Sequence, residues 1–130
     1  MPGILIADDN PNVRRLLRRF IETETGLKVC GEACNGTEAI EKAREFEADV
    51  VVLDLAMPLL NGIEAASALR KYMPDIRIVL FTMQVDGLGK SLASAIGIDF
   101  VLSKEQNITK LTDYLKGLLP VASSNASAGV

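Results

Sequence analysis

The sequence predicts an α/β fold: a doubly wound, three-layer sandwich in which one five-stranded parallel sheet lies between two layers of helices. Two observations predict it. Short apolar runs that stop at a polar residue alternate five times with stretches whose apolar residues recur every three or four positions. The runs are continuous rather than alternating, as strands covered on both faces are, and the connections are short. Right-handed crossovers with a single topological switch are then the most economical arrangement.

The first run, Gly3-Ile4-Leu5-Ile6-Ala7, stops at Asp8-Asp9. Asn10 suits a helix cap and Pro11 a first helical turn. Val13, Leu16, Leu17, Phe20 and Ile21 then give that helix an apolar face, with Arg14, Arg15, Arg18 and Arg19 predicted outside. Gly26 ends it, and a weaker strand runs from Leu27 towards Ala33. Asn35-Gly36-Thr37 opens a second helix whose face carries Ala39, Ile40, Ala43 and Phe46. Asp49-Val50-Val51-Val52-Leu53 is the strongest strand and ends at Asp54. After a turn region from Leu55 to Asn61, Gly62-Ile63 opens a third helix that must stop before Pro74. Ile76 to Phe81 is a fourth strand, ending at Thr82. A helix over about Asp86 to Ile96 is weakened at its start by Gly87 and Gly89. A fifth strand, Ile98 to Leu102, leads into Ser103-Lys104. Ile108, Leu111, Leu115, Leu118 and Leu119 stripe a last helix. From Pro120 the composition shifts to Ser, Ala, Asn and Gly. The chain thus divides into one domain, residues 1–119, and a flexible tail or linker, residues 120–130.

A chain of 130 residues is the size of one domain. A net charge of −3 and a pI near 5.0 give no electrostatic footprint for nucleic acid. No apolar run approaches membrane-spanning length, and the N-terminus lacks the features of a signal peptide. Cys30 and Cys34, in a chain without histidine, cannot form a typical zinc site; both read as small apolar residues on or near a strand. The expected location is the cytoplasm, with reduced thiols.

In an open parallel sheet the ligand site lies beyond the carboxyl ends of the strands. Asp8 and Asp9, Asp54, Thr82 and Lys104 all follow or end such strands, so they are predicted to share one crevice. Three carboxylates within a few ångströms repel one another by several kcal/mol even at an effective dielectric of about 20. A cation, a lysine or a raised pKa must compensate. Oxygen ligands with spare coordination positions suit Mg²⁺, and Lys104 supplies a point charge opposite them. The pattern describes a site for a metal and a small doubly charged anion, in which a central carboxylate can itself be the nucleophile and form an acyl phosphate. Taken singly, each residue has an ordinary structural reading as a cap, a strand end or a solvated lysine. Their joint placement carries the specificity. Gly89-Lys90-Ser91 does not complete a phosphate-binding loop, and no Gly-rich dinucleotide fingerprint follows the first strand.

These residues resemble the receiver domain of bacterial two-component response regulators over about residues 3 to 119. The marks are Asp8-Asp9, Asp54 within Val-Val-Leu-Asp-Leu-Ala-Met-Pro, Gly62, Thr82 and Lys104, in family order and spacing. The style of Asn61-Gly62-Ile63-Glu64 and Leu102-Ser103-Lys104 is similar to receivers that precede a helix-turn-helix output domain. The resemblance implies a flavodoxin-like strand order, 2-1-3-4-5. It further implies that Asp54 accepts a phosphoryl group from a sensor histidine kinase. Asp9, Asp54 and the backbone carbonyl of Ala56 would bind Mg²⁺ directly, and Asp8 mostly through water. Lys104 would pair with phosphoryl oxygens, and Thr82 would swing onto them and shift the face formed by the fourth helix, fifth strand and fifth helix. That face would contact an output domain or effector, or a second phosphorylated copy. Such a protein would catalyse only its own phosphorylation and dephosphorylation, and this domain is expected to contact neither nucleic acid nor membrane.

Three departures stand out. Val101 occupies the position where the family often has a switch aromatic, with Phe100 expected on the opposite face. Met83 is larger than the usual residue after the threonine, and Glu105 replaces the proline that commonly follows the lysine. Two other readings compete with the switch. One is a receiver-like module that binds a partner without phosphorylation, against which the complete acidic set argues. The other is a Mg²⁺-dependent phosphatase with an aspartyl nucleophile, which needs a general acid where Ala56 stands.

Overall fold

A computed structural model describes residues 3–57, 59–82, 95–104 and 108–118. The chain runs β1 (Gly3–Ala7), α1 (Pro11–Thr25), β2 (Lys28–Ala33), α2 (Gly36–Glu45), β3 (Val50–Leu53), α3 (Gly62–Tyr72), β4 (Arg77–Thr82), β5 (Phe100–Ser103) and α4 (Thr109–Gly117). The strands form one parallel sheet in the order β2-β1-β3-β4-β5, as the resemblance implied. The helix expected over Asp86 to Ile96 lies almost wholly outside the described residues, as do Met83, Glu105 and the tail.

Period-two alternation divides the strand side chains between two cores. Leu5, Ala7, Val51, Leu53, Ile78 and Leu80 point to the face covered by α2 and α3. Ile4, Ile6, Val50, Val52, Val79, Phe81 and Leu102 point to the face covered by α1 and α4. Both faces are therefore buried, which is why the strands read as unbroken apolar runs.

Local signals set the helix ends. The Asn10 side chain accepts from the amides of Asn12 and Val13, with Pro11 in the first turn, and Gly26 ends α1 in the left-handed region at φ 74°. Asn35 caps α2 through the Glu38 amide. Asn61 and Glu64 form a reciprocal capping box at α3.

Some expectations need correction. Leu16 is exposed; Leu17 and Ile21 hold the buried line of α1, and Leu16 sits a further 100° round the helix. Phe46 is also largely exposed, because it follows the last turn of α2 and lies along the sheet edge against Gly31. Cys34 is exposed beyond β2. Cys30 is half-buried where the β1–β2 register slips, between the pairs Ile4–Val29 and Leu5–Gly31. Arg14 and Arg18 do not stand free on the outer face of α1: both reach Glu32 on the edge strand β2.

The lower edge of the sheet is tied by one arginine. Arg70 of α3 donates to the carbonyls of Pro74, Ile76 and Gly97 and to the Asp99 carboxylate, which also accepts from the Ile78 amide. This bundle of charge-assisted bonds fixes where β4 and β5 begin.

Candidate functional site

Strand register brings the candidate residues to one level. Ala7 of β1 pairs with Leu53 of β3, and Leu53 with Leu80 of β4, so Asp8 and Asp54 leave the sheet side by side. Thr82 pairs with Ser103 of β5, and the Lys104 amide donates to the Thr82 carbonyl at 2.7 Å. Two-residue alternation carries Ile4, Ile6 and Asp8, then Val50, Val52 and Asp54, then Leu102 and Lys104 to the α1 side of the sheet. Lys104 Nζ sits 5.9 Å from the centre of the Phe81 ring, which supports its stem on that side.

Asp8 is 2% exposed and Asp54 7%, while Asp9 is exposed at the rim. One carboxylate oxygen from each of Asp8, Asp9 and Asp54 lies within 4.8 Å of the others. Lys104 Nζ is 2.6 Å from Asp8 Oδ2 and 3.4 Å from Asp54 Oδ2, a bridge across the cluster. Burial, and then the neighbouring Asp8 carboxylate, raise the Asp54 pKa above its ordinary value. Lys104, the Ala56 amide and the Thr82 side chain oppose that rise without cancelling it. The Asn10 amide donates to Asp8 Oδ1 at 2.9 Å, which holds that carboxylate against the start of α1. All donors offered are hard oxygens, with neither histidine nor thiolate among them. That set, with a positive lysine beside it, fits Mg²⁺ and disfavours zinc.

The loop after Asp54 is held by two close approaches. A Cβ at Gly62 would lie 2.3 Å from the Asp54 carbonyl oxygen, and one at Gly36 would lie 2.0 Å from the Leu60 carbonyl oxygen. Glycine is needed at both places so that the loop after Asp54 can press against the starts of α3 and α2. The same loop places Leu59 in the left-handed region at φ 66°, with its side chain 82% exposed. A branched residue in that conformation costs roughly 1–2 kcal/mol, while glycine adds about 0.5–1 kcal/mol of chain entropy to be lost on folding. Leu59→Gly is therefore expected to stabilise the protein by about 0.5–1 kcal/mol. A urea midpoint equal to or below that of the unchanged protein would count against this strain.

The structure thus gathers Asp8, Asp9, Asp54 and Lys104, with Thr82 hydrogen-bonding towards Asp54. Val101 packs towards the α2/α3 core and Phe100 towards the opposite one, where it stacks on Tyr114 at 4.4 Å between ring centres. Sequence reasoning missed Arg14, whose Nη1 donates to the Asp8 carbonyl at 2.7 Å. Its helical position one turn behind Asn10 was visible, but its partner Glu32 is 18 residues away.

Comparison with known proteins agrees with this geometry. The family described as response regulator receiver domain matches residues 4–116. The response regulator protein VraR of Staphylococcus aureus is 28% identical over 113 residues, which are 87% of this chain and 54% of VraR. The chain therefore spans about half the length of the curated relatives it matches. A LuxR-family two-component response regulator from Aurantimonas sp. SI85-9A1 superposes with a TM-score of 0.85 at 32% identity, covering 92% of this chain and 86% of that one. The isolated REC domain of RcsB from Salmonella enterica serovar Typhimurium, solved with the phosphomimetic BeF3-, superposes with a TM-score of 0.83 at 27% identity, covering 90% and 87%. With its five-stranded order, its acidic cluster and a family match over nearly all of the folded region, this chain belongs to the receiver domains of two-component response regulators.

Proposed function

We propose that this receiver is a phosphorylation switch in which Asp54 accepts a phosphoryl group with the help of Mg²⁺. The observation that carries the proposal is the position of Asp54. Its carboxylate is buried, grouped with those of Asp8 and Asp9, and faced by Lys104 at 3.4 Å. A nucleophile needs this setting, because the charge of the incoming group must be neutralised while its own is kept available.

In the transfer an Asp54 oxygen bonds to phosphorus as the phosphorus–nitrogen bond of a kinase phosphohistidine breaks, and the electron pair stays on the imidazole. Lys104 then exchanges carboxylate partners for phosphoryl oxygens, and the Thr82 hydroxyl donates to the same group. Asp9, Asp54 and the Ala56 carbonyl would hold Mg²⁺ directly, with Asp8 through water, and the ion would neutralise charge on the transferred group. The RcsB relative, solved in the presence of the phosphomimetic BeF3-, supports the reading.

The switched surface is the one formed by β5, α4 and the helix read over Asp86 to Ile96. Its partners are an output domain or effector and a second phosphorylated copy; the donor is a sensor histidine kinase. Residues 1–119 act as the switch and 120–130 as a flexible tail or linker. The protein turns over no external substrate, contacts no nucleic acid through this domain, and works in the cytoplasm.

The test is intact mass after incubation with acetyl phosphate, with and without Mg²⁺. A single adduct that requires Mg²⁺ is expected. No adduct from acetyl phosphate or from a phosphorylated sensor kinase would sink the switch and favour a module that binds partners without phosphorylation.

A further inference from the structure

We propose that Arg14 is a positioning residue for the cation site, acting through the peptide group that joins Asp8 to Asp9. The inference rests on the reading of that cluster as a divalent-cation site. Arg14 Nη1 donates to the Asp8 carbonyl oxygen at 2.7 Å, and its Nε to Glu32 Oε1 at 3.1 Å. The Arg14 side chain is only 18% exposed. Glu32 is itself held in place: its Oε2 lies 2.9 Å from Arg18 Nε, and its carbonyl accepts from Lys42 Nζ at 2.6 Å. One fork therefore ties the end of β1 to α1 and the edge strand β2, and Lys42 joins α2 to the same glutamate.

What the fork holds is specific. The Asp8 amide donates to the Ala33 carbonyl at 3.0 Å, and the Asp8 carboxylate accepts from the Asn10 amide and from Lys104. With its carbonyl fixed by Arg14, every polar group of Asp8 is anchored. The orientation of the Asp8–Asp9 peptide sets the direction in which the Asp9 side chain leaves the chain. Asp9 is exposed at the rim, so its aim depends on its backbone. A guanidinium suits the task because its planar fork serves two acceptors at once, which a lysine ammonium on a flexible stem cannot reproduce.

Position and charge predict opposite signs. An arginine acting only through space would repel a cation, so its removal would tighten cation binding. An arginine acting as a clamp orients a ligand, so its removal loosens binding. The experiment is Mn²⁺ binding by calorimetry and electron paramagnetic resonance to the unchanged protein, Arg14→Met and Arg14→Lys, at a temperature where circular dichroism shows all three folded. Both variants are expected to raise Kd about tenfold, with lysine giving no rescue. Unchanged or tighter binding by Arg14→Met overturns the clamp, as does wild-type affinity in Arg14→Lys. If Arg14→Met does not fold, Arg14→Lys decides alone, because it keeps the charge and loses the fork. Failure of the unchanged protein to bind Mn²⁺ would instead overturn the cation site itself.

Discussion

Asp54→Asn is expected to abolish the phosphoryl adduct completely and, in the metal-free protein, to raise stability at neutral pH. The first effect follows from chemistry: a carboxamide has nearly the shape of the carboxylate but is no nucleophile. The second follows from the sign of the pKa shift. Burial and Asp8 raise the Asp54 pKa in the folded chain above its ordinary value of 3.8. The folded state therefore holds the proton more tightly than the unfolded state does. Stability then falls as pH rises from the ordinary value through the raised one, and the cost of the buried charge is fully present above it. Asparagine carries no such cost. The urea midpoint of Asp54→Asn should exceed that of the unchanged protein at neutral pH, with the gap closing as both are acidified below the ordinary carboxylate range. A variant less stable at neutral pH, or a gap independent of pH, would contradict the electrostatic account. An adduct persisting on the variant would place the acceptor elsewhere. If Asp54 is the acceptor, its cost in stability is the usual trade between function and stability.

Gly62→Ala is expected to cost about 3 kcal/mol and to slow phosphorylation as well. The added methyl would stand 2.3 Å from the Asp54 carbonyl oxygen and 2.8 Å from the Leu55 Cα. Both are backbone atoms and cannot turn aside as a flexible side chain would. The Gly62 amide also donates to the Leu55 carbonyl at 2.9 Å, so moving α3 away breaks the bond that closes the loop after Asp54. Relief must come from shifting Asp54 or the first turn of α3, and either change moves Asp54 relative to Lys104. Gly117→Ala is the control, since a Cβ there meets nothing within 4 Å. With no clash and a gain in helix propensity, it should leave stability unchanged or raise it by up to about 1 kcal/mol. Equal urea midpoints for the two variants would refute the steric account.

Among the described residues, the sequence by itself determined the elements, their order and the residues that crown the strands. Those signals are local: Asn10, Asn35 and Asn61 cap the helices they precede, Gly26 closes α1, and continuous apolar runs mark strands buried on both faces. Because a parallel sheet lines up its carboxyl ends, strand-end position was enough to select Asp8, Asp9, Asp54, Thr82 and Lys104 as neighbours. Periodicity failed where it had to say how far a covering face extends. Leu16 and Leu17 are adjacent in sequence, yet the neighbours of α1 bury one and leave the other in water. Distances within the site were decided by tertiary structure alone. The 2.6 Å bridge from Lys104 to Asp8 spans 96 positions of the chain, and no local rule fixes such a length. The same holds for Arg14, which amphipathic spacing places outside but which packing on Glu32 turns under the acidic pair. Local patterns state which residues leave which element. Which of them meet depends on how the elements pack, and packing is a property of the whole chain.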